Sequence, residues 1–92
     1  MLNSTIKVTK GAIDNNYLTI TEQLNIGMIP KKTVNISIRT PIGEFSTLVF
    51  PELGRLQERS FVRRLYRELN LKAGSILNIR VIERNKIYEI GI

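Results

Sequence analysis

Val34-Asn35-Ile36-Ser37-Ile38-Arg39-Thr40, then Pro41-Ile42-Gly43-Glu44, then Phe45-Ser46-Thr47-Leu48-Val49-Phe50 is the stretch that decides the fold. In the first arm apolar and polar residues alternate, the period of a strand with one buried and one wet face. Pro and Gly supply the turn, and a second β-prone run returns from it, so the segment reads as a β-hairpin.

The same two-residue period recurs on both sides. Upstream, Ile6-Lys7-Val8-Thr9-Lys10 and Tyr17-Leu18-Thr19-Ile20-Thr21 read as short strands. Gly11 and the Asp14-Asn15-Asn16 turn chemistry separate them. Thr21 is placed to cap one helical turn over about 22–27, which Gly27 and Pro30 close. Downstream, Pro51 and Gly54 mark a change of period. From about Ser60 to Leu69 the spacing becomes helical, with Phe61, Val62, Leu65, Tyr66 and Leu69 on one face. Arg59, Arg63 and Arg67 fall at i, i+4 and i+8 on the other face, with Arg64 beside them. Leu56 would fall among those arginines, so the regular helix begins after it. Ser75–Arg84 and Ile87–Ile90 form a closing strand pair around Asn85-Lys86. The reading is a single domain over 1–92, mainly β (α+β), with one main helix at about 60–69. Strands spaced by turns point to a small antiparallel barrel or half-barrel, which would also protect isoleucine-rich edges.

Composition narrows the chemistry. Among 92 residues there is neither cysteine nor histidine. That removes disulfides, thiolate metal sites, the commonest general base and the commonest metal ligand. No acid pair is poised for catalysis, no serine has a histidine to activate it, and the six glycines are scattered rather than gathered in a phosphate loop. The expectation is a non-catalytic domain with no cofactor and no metal. The N-terminus lacks the pattern of a signal peptide, and no apolar run approaches the ~20 residues that span a bilayer. A cytoplasmic, membrane-free protein follows as the expectation.

The net charge is +6, and it is uneven. Residues 1–54 hold five Lys/Arg against four acids, whereas residues 55–92 hold nine against four. A basic balance favours anionic partners. Arg59, Arg63, Arg64 and Arg67 are candidates for phosphate contacts. A charged helix face is also what solvation alone produces, with Glu68 four residues after Arg64. Loops rich in Asn, Arg, Lys and Thr carry donors and acceptors suited to base edges, and the same residues are ordinary turn formers.

Phe61-Val62-Arg63-Arg64, then Leu69-Asn70-Leu71-Lys72-Ala73-Gly74-Ser75 and two closing strands, resemble the DNA-binding pseudobarrel domain. That family is shared by plant transcription factors and the effector domains of some restriction endonucleases. Ser75 stands where the family pattern has aspartate. Tyr17-Leu18-Thr19-Ile20 followed by Ile29-Pro30 resembles the family's strand leading into a short helix. The resemblance implies an antiparallel pseudobarrel that grips the major groove of duplex DNA with two arms. By position, one arm comprises Lys7, Lys10, Asn15 and Asn16, and the other comprises Arg39, Thr40 and Glu44. In that family the large helix helps close the barrel and is not the reading element, so the arginine stripe would be peripheral, a flanking phosphate contact for general affinity or nothing. The competing reading is a protein-interaction module, an adaptor or a small inhibitor of an acidic partner, that accepts a partner strand at a sheet edge. A fused or recruited catalytic partner is compatible with either. A single-strand or RNA binder would call for exposed aromatics, and aromatic residues make up only 7% of the chain.

Overall fold

The computed structural model describes residues 3–56 and 58–92. It is a mainly β, α+β fold of ten elements. In chain order they are β1 (Asn3–Lys7), α1 (Lys10–Asn15), β2 (Leu18–Thr19), α2 (Thr21–Asn25), β3 (Val34–Thr40), β4 (Gly43–Val49), β5 (Arg55–Leu56), α3 (Arg59–Glu68), β6 (Ile76–Glu83) and β7 (Ile87–Gly91).

The hairpin forms as its alternation dictates. β3 and β4 pair from Val34↔Val49 to Thr40↔Gly43, leaving Pro41-Ile42 as the turn. Thr40 stitches this turn with its side chain. Its hydroxyl donates to the Gly43 carbonyl at 2.7 Å and accepts the Ile42 N–H at 3.2 Å. β6 and β7 form the second hairpin, with a register shift between Val81 and Glu83.

The five long strands make one sheet in the order β1-β6-β7-β3-β4, and β2 and β5 make a separate two-stranded ribbon. Two features depart from an antiparallel barrel. β3 lies parallel to β7, and β1 and β4 remain as edges, so the sheet is not closed. Closure would shield both edges; in the open sheet only the β1 edge gains a partial cover, and β4 stays open. Gln23 of α2, 1% exposed, donates from Nε2 to the Thr5 carbonyl and to Ser4 Oγ, both at 2.9 Å. One buried amide therefore occupies the rim of β1.

Gln23→Leu keeps the volume but strands these acceptors. It should lower stability by about 1–3 kcal/mol, read as a drop in the urea midpoint at constant slope.

One face of the sheet is the core. Ile6, Leu77, Ile79, Tyr88, Ile90, Ile36, Ile38, Phe45 and Val49 point into it and meet Leu18, Ile20, Leu24, Met28, Ile29, Leu56, Val62, Leu65 and Tyr66 from the other layer. α3 lies on this inner face, with Phe61 stacked on Phe45 at 4.1 Å between ring centroids. Leu56 belongs to β5 and is fully buried, which is why it does not fit the wheel of the helix.

The first strand ends at Lys7 rather than Lys10, and Lys10–Asn15 is a helix where a turn was expected. Thr9 caps it, Oγ1 accepting the Ala12 N–H at 3.1 Å, and Ala12 is buried beneath it. Gly11 and Asp14 are weak helix formers, so local propensity hides a helix that a cap and tertiary burial hold. Asn16 closes it in the left-handed region at φ 56°, as its turn chemistry anticipates. In α2 the residue before the helix is Ile20, and Thr21 does not cap. Its hydroxyl instead donates across to the Gly54 carbonyl at 3.4 Å.

Candidate nucleic-acid interface

Ion pairing decides which of the basic residues remain available. On the outer face of the sheet, the registers place Asn3, Arg80, Glu89, Arg39 and Glu44 in one row across all five strands. Within the row the charges alternate. Arg80 Nε meets Glu89 Oε1 at 2.6 Å, and Arg39 Nε meets Glu44 Oε1 at 3.1 Å. Exposed pairs of this kind add little to stability, but they cancel the field of both arginines. Around Asn78, Arg80 and Glu89 the outer face has a depression of about 320 Å³, and its charge is balanced.

The hairpin arm is thus engaged with itself. Arg39 and Glu44 hold each other and Thr40 holds the turn. The first arm is partly engaged as well. Lys10 Nζ meets Asp14 Oδ2 at 3.0 Å, and Asn15 Nδ2 donates to the Gly11 carbonyl at 2.9 Å, both within α1. Lys7 is exposed on the outer face of edge strand β1, and Asn16 faces the helices. Arg39 and α3 lie on opposite sides of the sheet, because Arg39 alternates with the inward Ile38 while α3 covers the inner face. The structure therefore separates the hairpin arm from the arginine stripe.

The stripe itself is open. Arg64 is paired with Glu68 at 3.1 Å. Arg59, Arg63, Arg67 and the following Lys72 are exposed and have no ion-pair partner among the described residues. From Arg59 to Arg67 the stripe is about 12 Å long at 1.5 Å per residue.

Beside it α1 and α3 frame a groove of about 350 Å³ lined by Ile13, Asn16, Arg63, Tyr66, Arg67, Asn70 and Leu71. No acid lines this groove. Asn16 and Asn70 are both left-handed, at φ 56° and 53°, so each side chain projects from the end of a helix. Tyr66 ties the two walls together, its hydroxyl donating to the Tyr17 carbonyl. Burial, and then the neighbouring Tyr17, push its phenol well above the ordinary range, so it stays a neutral donor. Arg55 lies over the Tyr17 ring at 4.6 Å, a cation–π contact on the β2–β5 ribbon.

Asn70 and Lys72 were not singled out from sequence. The available signal was an asparagine just past the end of the main helix, after its C-cap Leu69, a position that favours the left-handed conformation.

Further exposed positive charge lies on Lys31 and Lys32, before β3, and on Arg84, at the β6–β7 turn. There Arg84 Nη2 reaches the Gly27 carbonyl at 3.5 Å, and Ser37 N–H bonds to the Lys86 carbonyl at 2.8 Å. Among the described residues no group of three or more His, Cys, Asp or Glu could hold a metal, and no helix is long and apolar enough to cross a membrane.

Comparison of the chain with protein-family models, with curated proteins and with solved structures finds no match.

Proposed function

We propose that this domain is a non-catalytic nucleic-acid-binding module that takes duplex DNA on the exposed face of α3. The observation that carries this reading is the distribution of unpaired charge. Arg59, Arg63 and Arg67 share one helix face with no ion-pair partner among the described residues, whereas the arginines of the outer sheet face are neutralised by Glu44 and Glu89. Guanidinium groups at successive turns suit a row of phosphates, each of which accepts a forked hydrogen bond. Contacts of this kind fix position and affinity. The duplex as partner class rests on the resemblance to DNA-binding pseudobarrel domains, which would itself place the grip on the two arms rather than on α3.

The test is fluorescence anisotropy with a random-pool duplex and with single strands, each at low and moderate salt. Duplex binding that weakens steeply with salt is expected, and no binding at low salt would end the reading. A matched pair of variants separates a defined interface from net charge alone. Lys31→Gln with Lys32→Gln removes two charges from the loop before β3, and Arg63→Gln with Arg67→Gln removes two from the stripe. The first should leave the salt dependence nearly intact, while the second should lower its slope by about 1.8. Equal losses would mean attraction without an interface. Arg39→Gln leaves Glu44 uncompensated, but on the sheet face opposite α3, so affinity for random duplex should change little. A changed sequence preference in that variant would assign base reading to the hairpin.

One observation favours a second reading, strand addition by a protein partner. Ser37 turns its N–H toward β7, so across the β3–β4 ladder the outward backbone groups of β4 are those of Glu44, Ser46 and Leu48. Apart from a Phe50–Arg55 bridge, β4 pairs only with β3. Co-purification of a stable protein together with indifference to duplex would select this reading.

A further inference from the structure

We propose that the groove between α1 and α3 is a seat for a single phosphate group of the bound nucleic acid, held by Arg63 and Arg67 together with the side-chain amides of Asn16 and Asn70. The identity of the ligand rests on the nucleic-acid reading above, whereas the seat is a separate claim about geometry.

Three observations support the seat. The groove, about 350 Å³, gathers Asn16, Arg63, Arg67 and Asn70 around one depression, whereas the remainder of the stripe is an exposed helix face. Its polar lining carries more donors than acceptors. Arg63 and Arg67 carry only N–H groups, and each asparagine adds an NH₂. The acids nearest in sequence are already committed, Asp14 to Lys10 and Glu68 to Arg64.

The backbones of both asparagines are also fixed by the fold. Asn16 N–H bonds to the Ile13 carbonyl at 3.4 Å and Asn70 N–H to the Arg67 carbonyl at 3.2 Å. Their side chains make no hydrogen bond among the described residues and remain available. The two helix ends hold them on opposite walls, and the Tyr66–Tyr17 bond holds the walls together. A tetrahedral anion accepts hydrogen bonds on several oxygens at once. Two cations and two neutral donors around one concavity suit it better than they suit a planar carboxylate or a neutral ligand.

The neutral donors make the proposal separable from the charge of the stripe. Glycine adopts the left-handed conformation freely, so Asn16→Gly with Asn70→Gly removes both amides and keeps both helix ends. That double variant should bind duplex roughly tenfold more weakly with an unchanged salt slope, because no counterion-releasing contact is lost. Arg67→Gln should instead reduce the slope by about 0.9. Titration of the unaltered protein with inorganic phosphate, followed by the side-chain amide resonances of Asn16 and Asn70, should shift these two before other amides. An unaltered urea midpoint in the glycine variant confirms that its fold is retained.

Undiminished duplex binding by the glycine variant would overturn the seat and leave the stripe standing. So would phosphate shifts that bypass both amides. Undiminished binding in every variant, Arg67→Gln included, would overturn the placement of the duplex on α3, and absence of binding by the unaltered protein at low salt would overturn the nucleic-acid reading itself.

Discussion

A chain carrying Arg59→Gln, Arg63→Gln and Arg67→Gln is expected to bind duplex DNA on the order of 10²–10³-fold more weakly than the unaltered chain at about 0.1 M salt. Each phosphate neutralised on B-DNA contributes about 0.9 to the slope of log affinity against log salt. Three such contacts contribute about 2.7, and at a salt concentration tenfold below the molar reference they are together worth nearly three decades. The effect should be nearly blind to sequence, because a phosphate contact carries no base information. It should also come without loss of fold. All three side chains are exposed, and the buried face of α3, Val62, Leu65 and Tyr66, is untouched. Glutamine keeps the helix propensity of arginine closely enough for the helix to persist. A small loss with an unchanged slope would show that α3 does not face the phosphates, and the strand-addition reading through β4 would then take precedence.

The sequence made the strands and the main helix legible for a simple reason. Ile36 and Ile38 alternate with Asn35 and Ser37, and Phe61, Val62, Leu65 and Tyr66 fall on one helical face. Each pattern records which side of an element is wet. Pairing order leaves no such record. Nothing in Ile87-Tyr88-Glu89 announces that this strand lies parallel to Ser37-Ile38-Arg39, and in place of an antiparallel barrel or half-barrel the strands form an open mixed sheet. Gln23 illustrates the same limit, since a glutamine in a short polar helix reads as exposed until the rim of β1 is seen to need a donor.

The candidate site divides along similar lines. The arginine stripe was visible as an i, i+4, i+8 repeat, but its availability was not. Which arginines are neutralised depends on cross-strand register, and the Arg39–Glu44 and Arg80–Glu89 pairs emerge only once the strands are aligned. Asn16 and Asn70 are 54 positions apart in the chain. Only the packing of α1 on α3 brings them to one groove.

That packing should be unusually sensitive to alkali. Tyr66 and Tyr88 are both buried and hydrogen-bonded. Tyr88 donates to the Met28 carbonyl at 2.9 Å and accepts the Asn85 N–H at 3.2 Å. Burial raises the pKa of both phenols above the ordinary value near 10. For Tyr88 the Asn85 hydrogen bond and the Arg84 charge offset part of the rise. In the unfolded chain each phenol ionises near pH 10, while in the folded chain it holds its proton to higher pH. The folded state therefore binds more protons above pH 10, and stability falls as pH rises. The contribution is complete below pH 10. Above it the loss approaches about 1.4 kcal/mol per pH unit for each tyrosine until its folded pKa is reached.

Tyr66→Phe tests this directly. Near neutral pH the variant should be less stable by about 1–3 kcal/mol, because the Tyr17 carbonyl loses its donor. The alkaline loss belonging to Tyr66 also disappears, so the deficit should shrink as urea midpoints are followed from pH 9 to pH 11.5. Parallel curves for the two proteins would show that Tyr66 does not titrate with folding. Converging curves would identify the bond that holds the two walls of the groove together as the element that alkali breaks.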